Sequence, residues 1–378
     1  MIDAHKNIPF SGLHLECSAF LNKLSLENFR NFEDKKLTFD NNQILILGRN
    51  GSGKTSILEA ISLLCQGRGL RGSKFIEQIK EDASQAIVNY DITSFKGSII
   101  LEMLLNKNSS KRKIYFNEKS ITSGELSNLA STIWLTPQQN RLFSESQQIR
   151  RKFFDRIVYN FSIEHAKLIN KFEYYQRQRL NIITHPNYDE IWAEIIEEKL
   201  SKLAVQVCEA RYMVLNKLNE IITSLNTDFP KLECFLDSEI DTIYKNILDE
   251  EDLKNIFKDK YKFYRKQDTD SHKTHFGVLK SDFSAIHLGK NIKANLCSTG
   301  EQQSCIVTLL IAQTKLYIQR FEKKPILLLD ELFVHLDQQN KYLLSNYLFY
   351  LNVQTFVTST ELNLCEDFAK NGAQIINL

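Results

Sequence analysis

Gly48-Arg49-Asn50-Gly51-Ser52-Gly53-Lys54-Thr55 matches the phosphate-loop pattern GxxxxGK[ST] at every fixed position. Its glycines let the backbone curl so that several N–H groups face one anion, and a following helix adds the positive end of its dipole. Lys54 is placed to neutralise the β- and γ-phosphates of a nucleotide, and the Thr55 hydroxyl to bind Mg²⁺. The flanking residues agree. Before the loop, QILIL (residues 43–47) is a short apolar run of the kind buried on both faces of a sheet. After it, from Thr55 to about Leu64, Ile57, Leu58, Ile61 and Leu64 share one face of an expected helix.

A second apolar run, Ile326-Leu327-Leu328-Leu329, ends in Asp330-Glu331. Many buried strands end in acids, so alone this says little. Beside a phosphate loop it says more, because both motifs belong at the carboxyl ends of strands in one sheet. Asp330 then holds Mg²⁺ through water, and Glu331 orients or deprotonates the attacking water. For the two strands to meet, the residues between them must include an insertion. Ser298-Thr299-Gly300-Glu301-Gln302 opens the helix before the acidic strand. It reads locally as an ordinary helix start, a Ser N-cap with Glu301 three residues on. Its place, one helix before the acids, also makes it resemble the S-G-G-[EQ] signature of ABC ATPases. There the Ser hydroxyl, Gly backbone and helix N-terminus grip the γ-phosphate of ATP held by another subunit. Leu336-Asp337 matches the D-loop of the same class. Thr358-Ser359-Thr360 ends the next strand, where many of its members carry a histidine. Gln138, in TPQQ, is a candidate for the loop that senses Mg²⁺.

Period-2 stretches (LNKLSLENF, KKLTF, AIVNYDIT, GSIILEMLL, KRKIYF) predict strands over 21–47 and 86–116. From about Ser146 to Phe229 the period becomes helical. Ser162 to Ile183 and Asp189 to Leu225 predict a helical hairpin broken at THPNYD by Pro186. Its second helix carries Trp192, Ile195, Ile196, Leu200, Leu203, Val207, Val214, Leu218, Ile221 and Leu225 on one stripe. Such a stripe is either plain helix packing or part of an arm that meets DNA. Residues 237–272 are charged, with little periodicity. PILLLD, QTFVTST and AQIINL, with an amphipathic helix (CIVTLLIAQTKLYIQRF) before the first, predict a parallel α/β core. The expected organisation is an extension (1–20), an α/β head (21–135 and 275–378) and a helical insertion (136–274).

Taken together, LSLENFRNF, GRNGSGKTSILEAISLLCQGRGLRGS, IRRKFFDRIV and YYQRQRLNII resemble the RecF family of ABC/SMC-like ATPases, from about residue 21 to the C-terminus. The fold this implies is a P-loop ABC/SMC-like ATPase head with a helical arm inserted between phosphate loop and signature. Carried over, the resemblance places Arg30 and Asn31 beside the nucleotide with Gly48, Asn50, Gly51, Ser52, Gly53, Lys54, Thr55 and Ser56. Lys54 and Glu331 serve catalysis; Ser298 and Gly300 reach the nucleotide of a second copy; Glu301 and Asp337 also count among the nucleotide-binding residues; Thr55, Asp330 and Gln138 serve Mg²⁺. It further implies ATP-driven homodimerisation with slow hydrolysis, binding of double-stranded DNA near gaps, and action with RecR and RecO to load RecA. The family's GPHRDDL element departs here: in Gly277 to Phe283 (GVLKSDF) only Gly277 and Asp282 remain, with Lys280 for an arginine.

The chain's 378 residues, 43% apolar and 25% charged, suit a soluble protein of two domains or one domain with a large insertion. No run of 18 apolar residues predicts a membrane span, and the first twenty residues do not read as a signal peptide. Seven scattered cysteines without CxxC spacing point to reduced thiols and a cytoplasmic protein. A net charge of +2 leaves DNA binding to local patches. The candidates are Lys111-Arg112-Lys113, Arg150-Arg151-Lys152, Lys258 to Lys266, and Arg177 with Arg179 on the arm, unless these arginines pair acids instead. No sequence-reading module is visible, so the expectation is structure-dependent binding. A transporter ATPase subunit fits poorly with the long helical insertion, and a chromosome-structuring SMC protein with the lack of heptad arms.

Overall fold

The computed structural model describes residues 19–94, 97–126 and 129–378, so the extension expected over 1–20 lies almost wholly outside the described residues. Three strands open it: β1 (Phe20–Phe29), β2 (Phe32–Thr38) and β3 (Gln43–Leu47). β1 and β2 join β4 (Gln85–Ser94), β5 (Gly97–Asn106), β6 (Lys113–Phe116) and β7 (Lys119–Ile121) in an antiparallel sheet ordered β2-β1-β4-β5-β6-β7. Period-2 alternation sends Leu24 and Leu26, Val88, Tyr90 and Ile92, and Leu101, Met103 and Leu105 into one core. The short helix α2 (Ser123–Leu126) follows β7.

β3 turns away into a parallel sheet with β8 (Thr132–Leu135), β12 (Ile326–Asp330), β13 (Thr355–Ser359) and β14 (Gln374–Asn377), ordered β14-β3-β13-β12-β8. Both faces of this sheet are covered, which is why its strands read as continuous apolar runs. Ile44 and Ile46 face the core shared with the antiparallel sheet and α1 (Lys54–Ser62); Leu45 faces the core shared with α9 (Thr299–Phe321). Arg112, from the first basic cluster, turns inward, and its guanidinium donates to the carbonyls of Leu63 and Cys65 past the end of α1. A cation there complements the negative end of that helix.

Between β8 and α9 lies the helical lobe: α3 (Gln147–Phe161), α4 (Ile163–Ile183) and the 35-residue α5 (Glu190–Ser224). Asp189 caps α5, accepting from the N–H groups of Ile191 and Trp192. The charged stretch without clear period folds into α6 (Glu239–Asn246), α7 (Glu250–Phe263) and α8 (Arg265–Ser271). Ser238 and Asp249 cap the first two, and α7 buries Leu253, Phe257 and Tyr261 one turn apart. β9 (Leu232–Asp237) pairs with β10 (Asp282–His287), which pairs with β11 (Ile292–Lys293), so this small sheet draws on residues on both sides of position 275. Among the described residues, no helix is long and apolar enough to cross a membrane.

The stripe expected on α5 needs correcting at its start. Trp192 is 57% and Ile195 49% exposed, whereas Ala193, Ile196, Glu197 and Leu200 are buried. The buried face is rotated because it centres on a charge. Glu197 receives Arg179 at 2.9 Å and Arg265 at 2.6 Å, and Arg179 reaches Asp268 at 2.5 Å. Arg179 is thus an internal tie and not a DNA contact. The same correction applies to Arg150 and Arg151. Arg150 forks onto Asp282 (2.7 and 2.6 Å), and Arg151 is buried 3.9 Å from Asp155.

Asp155 is the hub of a second buried network. It accepts both arms of Arg211 (2.9 and 3.0 Å) and faces His165 Nε2 at 3.1 Å, while Arg211 donates onward to the Val278 carbonyl and Ser281 Oγ. Burial works to raise the Asp155 pKa, but Arg211 and His165 outweigh it and hold the carboxyl well below the usual range. Asp155→Ala leaves a buried guanidinium unpaired, and is expected to lower stability by about 3–5 kcal/mol, read by urea denaturation. A loss under 1 kcal/mol would disprove the hub.

Candidate nucleotide site

β3 ends at Leu47, and the chain curls through Gly51 (φ 82°) and Gly53 (φ 100°) before α1 begins at Lys54. The turn needs glycine at position 53 twice over. Its φ is left-handed, and a Cβ there would stand 2.3 Å from the Phe32 ring and 2.9 Å from Asn31 Nδ2. Lys54 Nζ folds back over the loop, donating to the carbonyls of Gly48 (2.7 Å) and Arg49 (3.2 Å), 3.9 Å from Glu331. Ser52 Oγ is buried without a hydrogen-bond partner. A cradle of N–H groups with a lysine and an unpaired hydroxyl suits a phosphate chain.

Parallel register sets the acids beside it. β12 pairs Asp330 with Thr358 of β13, and β13 pairs Ser359 with Leu47 of β3, so three strand ends converge. Thr55 Oγ1 lies 3.2 and 3.1 Å from the two oxygens of Asp330, and Thr358 Oγ1 donates to Asp330 Oδ1 at 2.7 Å. Burial raises the Asp330 pKa, opposed by the hydrogen bonds from Thr358 and Thr55. A buried carboxylate against a threonine hydroxyl is a hard-oxygen donor pair that fits Mg²⁺.

A cleft of about 490 Å³ opens over the loop, lined by Arg30, Asn31, Asn50, Gly51, Gly53, Lys54, Thr55, Ser56 and Glu331 among the expected residues. Gly48, Ser52 and Asp330 lie behind them. Arg71, Glu77 and Ile79 also line it, and none was singled out from the sequence. The organiser of this wall is Glu59, a fully buried carboxylate on α1. It accepts Arg30 Nε (2.8 Å) and Nη2 (2.6 Å), and Arg71 stands 3.9 Å away. Ser73 Oγ also accepts from Arg30 and donates to Glu59. A lone acid in the otherwise apolar ILEAI was the available signal.

Other expected residues do not reach the cleft. Gln138 is exposed at the turn after β8, outside the lining, while its neighbour Gln139 accepts from the Thr136 N–H (3.1 Å). Ser298, Gly300 and Glu301 open α9 at the surface and also stand outside that lining. The Ser298 N–H donates to the Glu301 carboxylate at 3.0 Å, and Lys290 pairs with the same group. Lys290 first, then the Ser298 N–H, pull the Glu301 pKa down to about 2. Asp337 caps α10 (Gln338–Leu351), accepting from the Asn340 N–H at 2.7 Å.

Residues 20–375 match the family model described as the RecF/RecN/SMC N terminal domain. The chain is 40% identical over 360 residues to the DNA replication and repair protein RecF of Rickettsia felis (strain ATCC VR-1525 / URRWXCal2), covering 95% of this chain and 98% of that protein. It is likewise 40% identical over 360 residues to RecF of Rickettsia prowazekii (strain Madrid E), covering 95% and 99%. Among solved structures, the fold is similar to the recombination mediator protein RecF-ATPrS of the RecFOR pathway, with a TM-score of 0.84 at 22% identity, covering 97% of this chain and 98% of that one. It is more distantly similar to an Smc head domain from Pyrococcus furiosus, with a TM-score of 0.52 at 16% identity, covering 95% and 93%. With its phosphate loop, acidic strand end and ABC/SMC-type head, the chain belongs to the RecF family.

Proposed function

We propose that this protein is an ATP-dependent DNA-binding protein of recombinational repair. On this reading it hydrolyses ATP slowly, dimerises around it, binds duplex DNA near single-strand gaps and works with RecO and RecR to load RecA. The observation that carries the reading is the convergence of Lys54, Thr55, Asp330 and Glu331 from neighbouring strand ends, while Ser298 and Gly300 stand exposed elsewhere. One copy can seat the triphosphate but cannot close a signature onto it. Two copies related by a two-fold axis can.

In this scheme the loop N–H groups and Lys54 hold the β- and γ-phosphates, and Arg30 walls the nucleoside end. Thr55 and Asp330 hold Mg²⁺, which when bound screens the phosphate charge. Glu331 accepts the proton of the attacking water. DNA is left to exposed cations, of which Lys111, Lys113, Lys152, Arg177 and Lys266 remain at the surface. Contacts of this kind are read by backbone charge and weaken steeply with salt. Sedimentation and DNA binding with ATP, with ADP and without nucleotide test the scheme: dimers and tight binding are expected with ATP alone.

Glu331→Gln keeps the shape and a hydrogen-bonding head but cannot take a proton. Turnover is expected to fall about 100-fold with ATP affinity retained. Steady-state hydrolysis equal to the parent's would assign the base to another residue.

A further inference from the structure

Thr358 was noted in the sequence only as the residue at a strand end, and none of the roles above uses it. Its side chain is fully buried at the junction of the two acids. A threonine hydroxyl has one proton to give and lone pairs to receive, and both capacities are used here. It donates to Asp330 Oδ1 at 2.7 Å and accepts from the Glu331 N–H at 3.0 Å. Glu331 is held at φ 52° and ψ 24°, left-handed values that a residue with a Cβ keeps only when its surroundings insist. Lys54 stands 3.9 Å from one Glu331 oxygen. The backbone of Glu331 is thus pinned by the hydroxyl that also fixes Asp330.

We infer that Thr358 is a positioning residue for hydrolysis, its hydroxyl locking the backbone of Glu331 so that the carboxylate meets the water that attacks ATP. This rests on reading Glu331 as the group that takes the proton. Valine has nearly the shape of threonine and suits a buried strand, but it can neither donate nor accept. Without the hydroxyl, the Glu331 N–H loses its acceptor and the residue relaxes toward ordinary backbone values. The loop and Lys54 are untouched, and Asp330 keeps its contacts with Thr55, so binding should stand while turnover falls.

The test compares Thr358→Val, Thr358→Ser, Glu331→Gln and the Thr358→Val/Glu331→Gln double variant with the parent. ATP affinity is read by equilibrium titration and kcat by phosphate release. Thr358→Val should lose tenfold or more in kcat with affinity within threefold, and Thr358→Ser should stay within threefold of the parent in both. The double variant should turn over no more slowly than Glu331→Gln, because the threonine acts through that residue. Parental turnover in Thr358→Val, equal losses in valine and serine, or a further tenfold loss in the double variant would each overturn the inference while leaving Glu331 in place. Parental turnover in Glu331→Gln would instead overturn the reading of Glu331, and this one with it.

Discussion

Lys54→Ala is expected to weaken ATP binding at least about 100-fold, equivalent to roughly 3 kcal/mol. Lys54 is 5% exposed, and its ammonium sits over the loop on the carbonyls of Gly48 and Arg49, 3.9 Å from Glu331. Removing it withdraws the charge that offsets the β- and γ-phosphates in a partly desolvated cleft, where charge-assisted hydrogen bonds are at their strongest. It also leaves the Glu331 carboxylate facing the phosphates without compensation, so the loss exceeds that of one contact. The fold should survive, because the hydrogen bonds of the Lys54 ammonium run to the loop's own carbonyls at Gly48 and Arg49. Isothermal titration with ATP reads the effect directly, and an affinity within threefold of the parent would remove Lys54 from its assigned role.

Ser298→Arg should abolish ATP-driven dimerisation and leave ATP binding by the single copy nearly intact. Ser298 is exposed, and the space around neighbouring Gly300 is open, with no atom from beyond its own turn of helix within 4 Å of where a Cβ would stand. A large side chain therefore fits the free subunit. Losing the serine cap from α9 costs about 1 kcal/mol, too little to unfold a head of this size. In the proposed sandwich the same arginine would lie where the partner's triphosphate and phosphate loop must close, adding bulk at a tight interface. ATP-stimulated DNA binding should weaken in parallel. Analytical ultracentrifugation decides it: a variant that dimerises with ATP as the parent does would leave the sandwich without support.

The head was legible because its signals are short-range. QILIL before a glycine-rich loop and ILLLD before an acid each declare a strand end within a few residues, while α1 and α9, expected to be one-sided, are buried on nearly every face. The α5 stripe holds from Ile196 onward but not at Trp192 and Ile195, since hydrophobicity alone gives no place to a buried Glu197. Charge was the general blind spot. Arg112, Arg150 and Arg179 look like surface cations in sequence, yet their partners, Asp282 and Asp268 among them, lie tens of residues away or more. The closure of Thr358 over Asp330 is equally hidden, because it depends on which strands become neighbours. The Ser298 to Gln302 motif was legible in the sequence, but its exposure away from the cleft had to be seen in three dimensions.

The parallel sheet places β3 between β14 and β13, strands that follow it by more than 300 residues. The Gln354 side chain closes the same gap twice, accepting from the Leu21 N–H at 2.8 Å and donating to its carbonyl at 2.9 Å. Pairing across such a separation must wait for chain that has yet to leave the ribosome, and non-local parallel strands form slowly even then. A nascent fragment ending before Thr355 holds the entire phosphate-loop sequence without the strands that flank its base. Competence to hold nucleotide therefore waits until β13 and β14 have been made, so a head without them has no seated loop with which to compete for ATP.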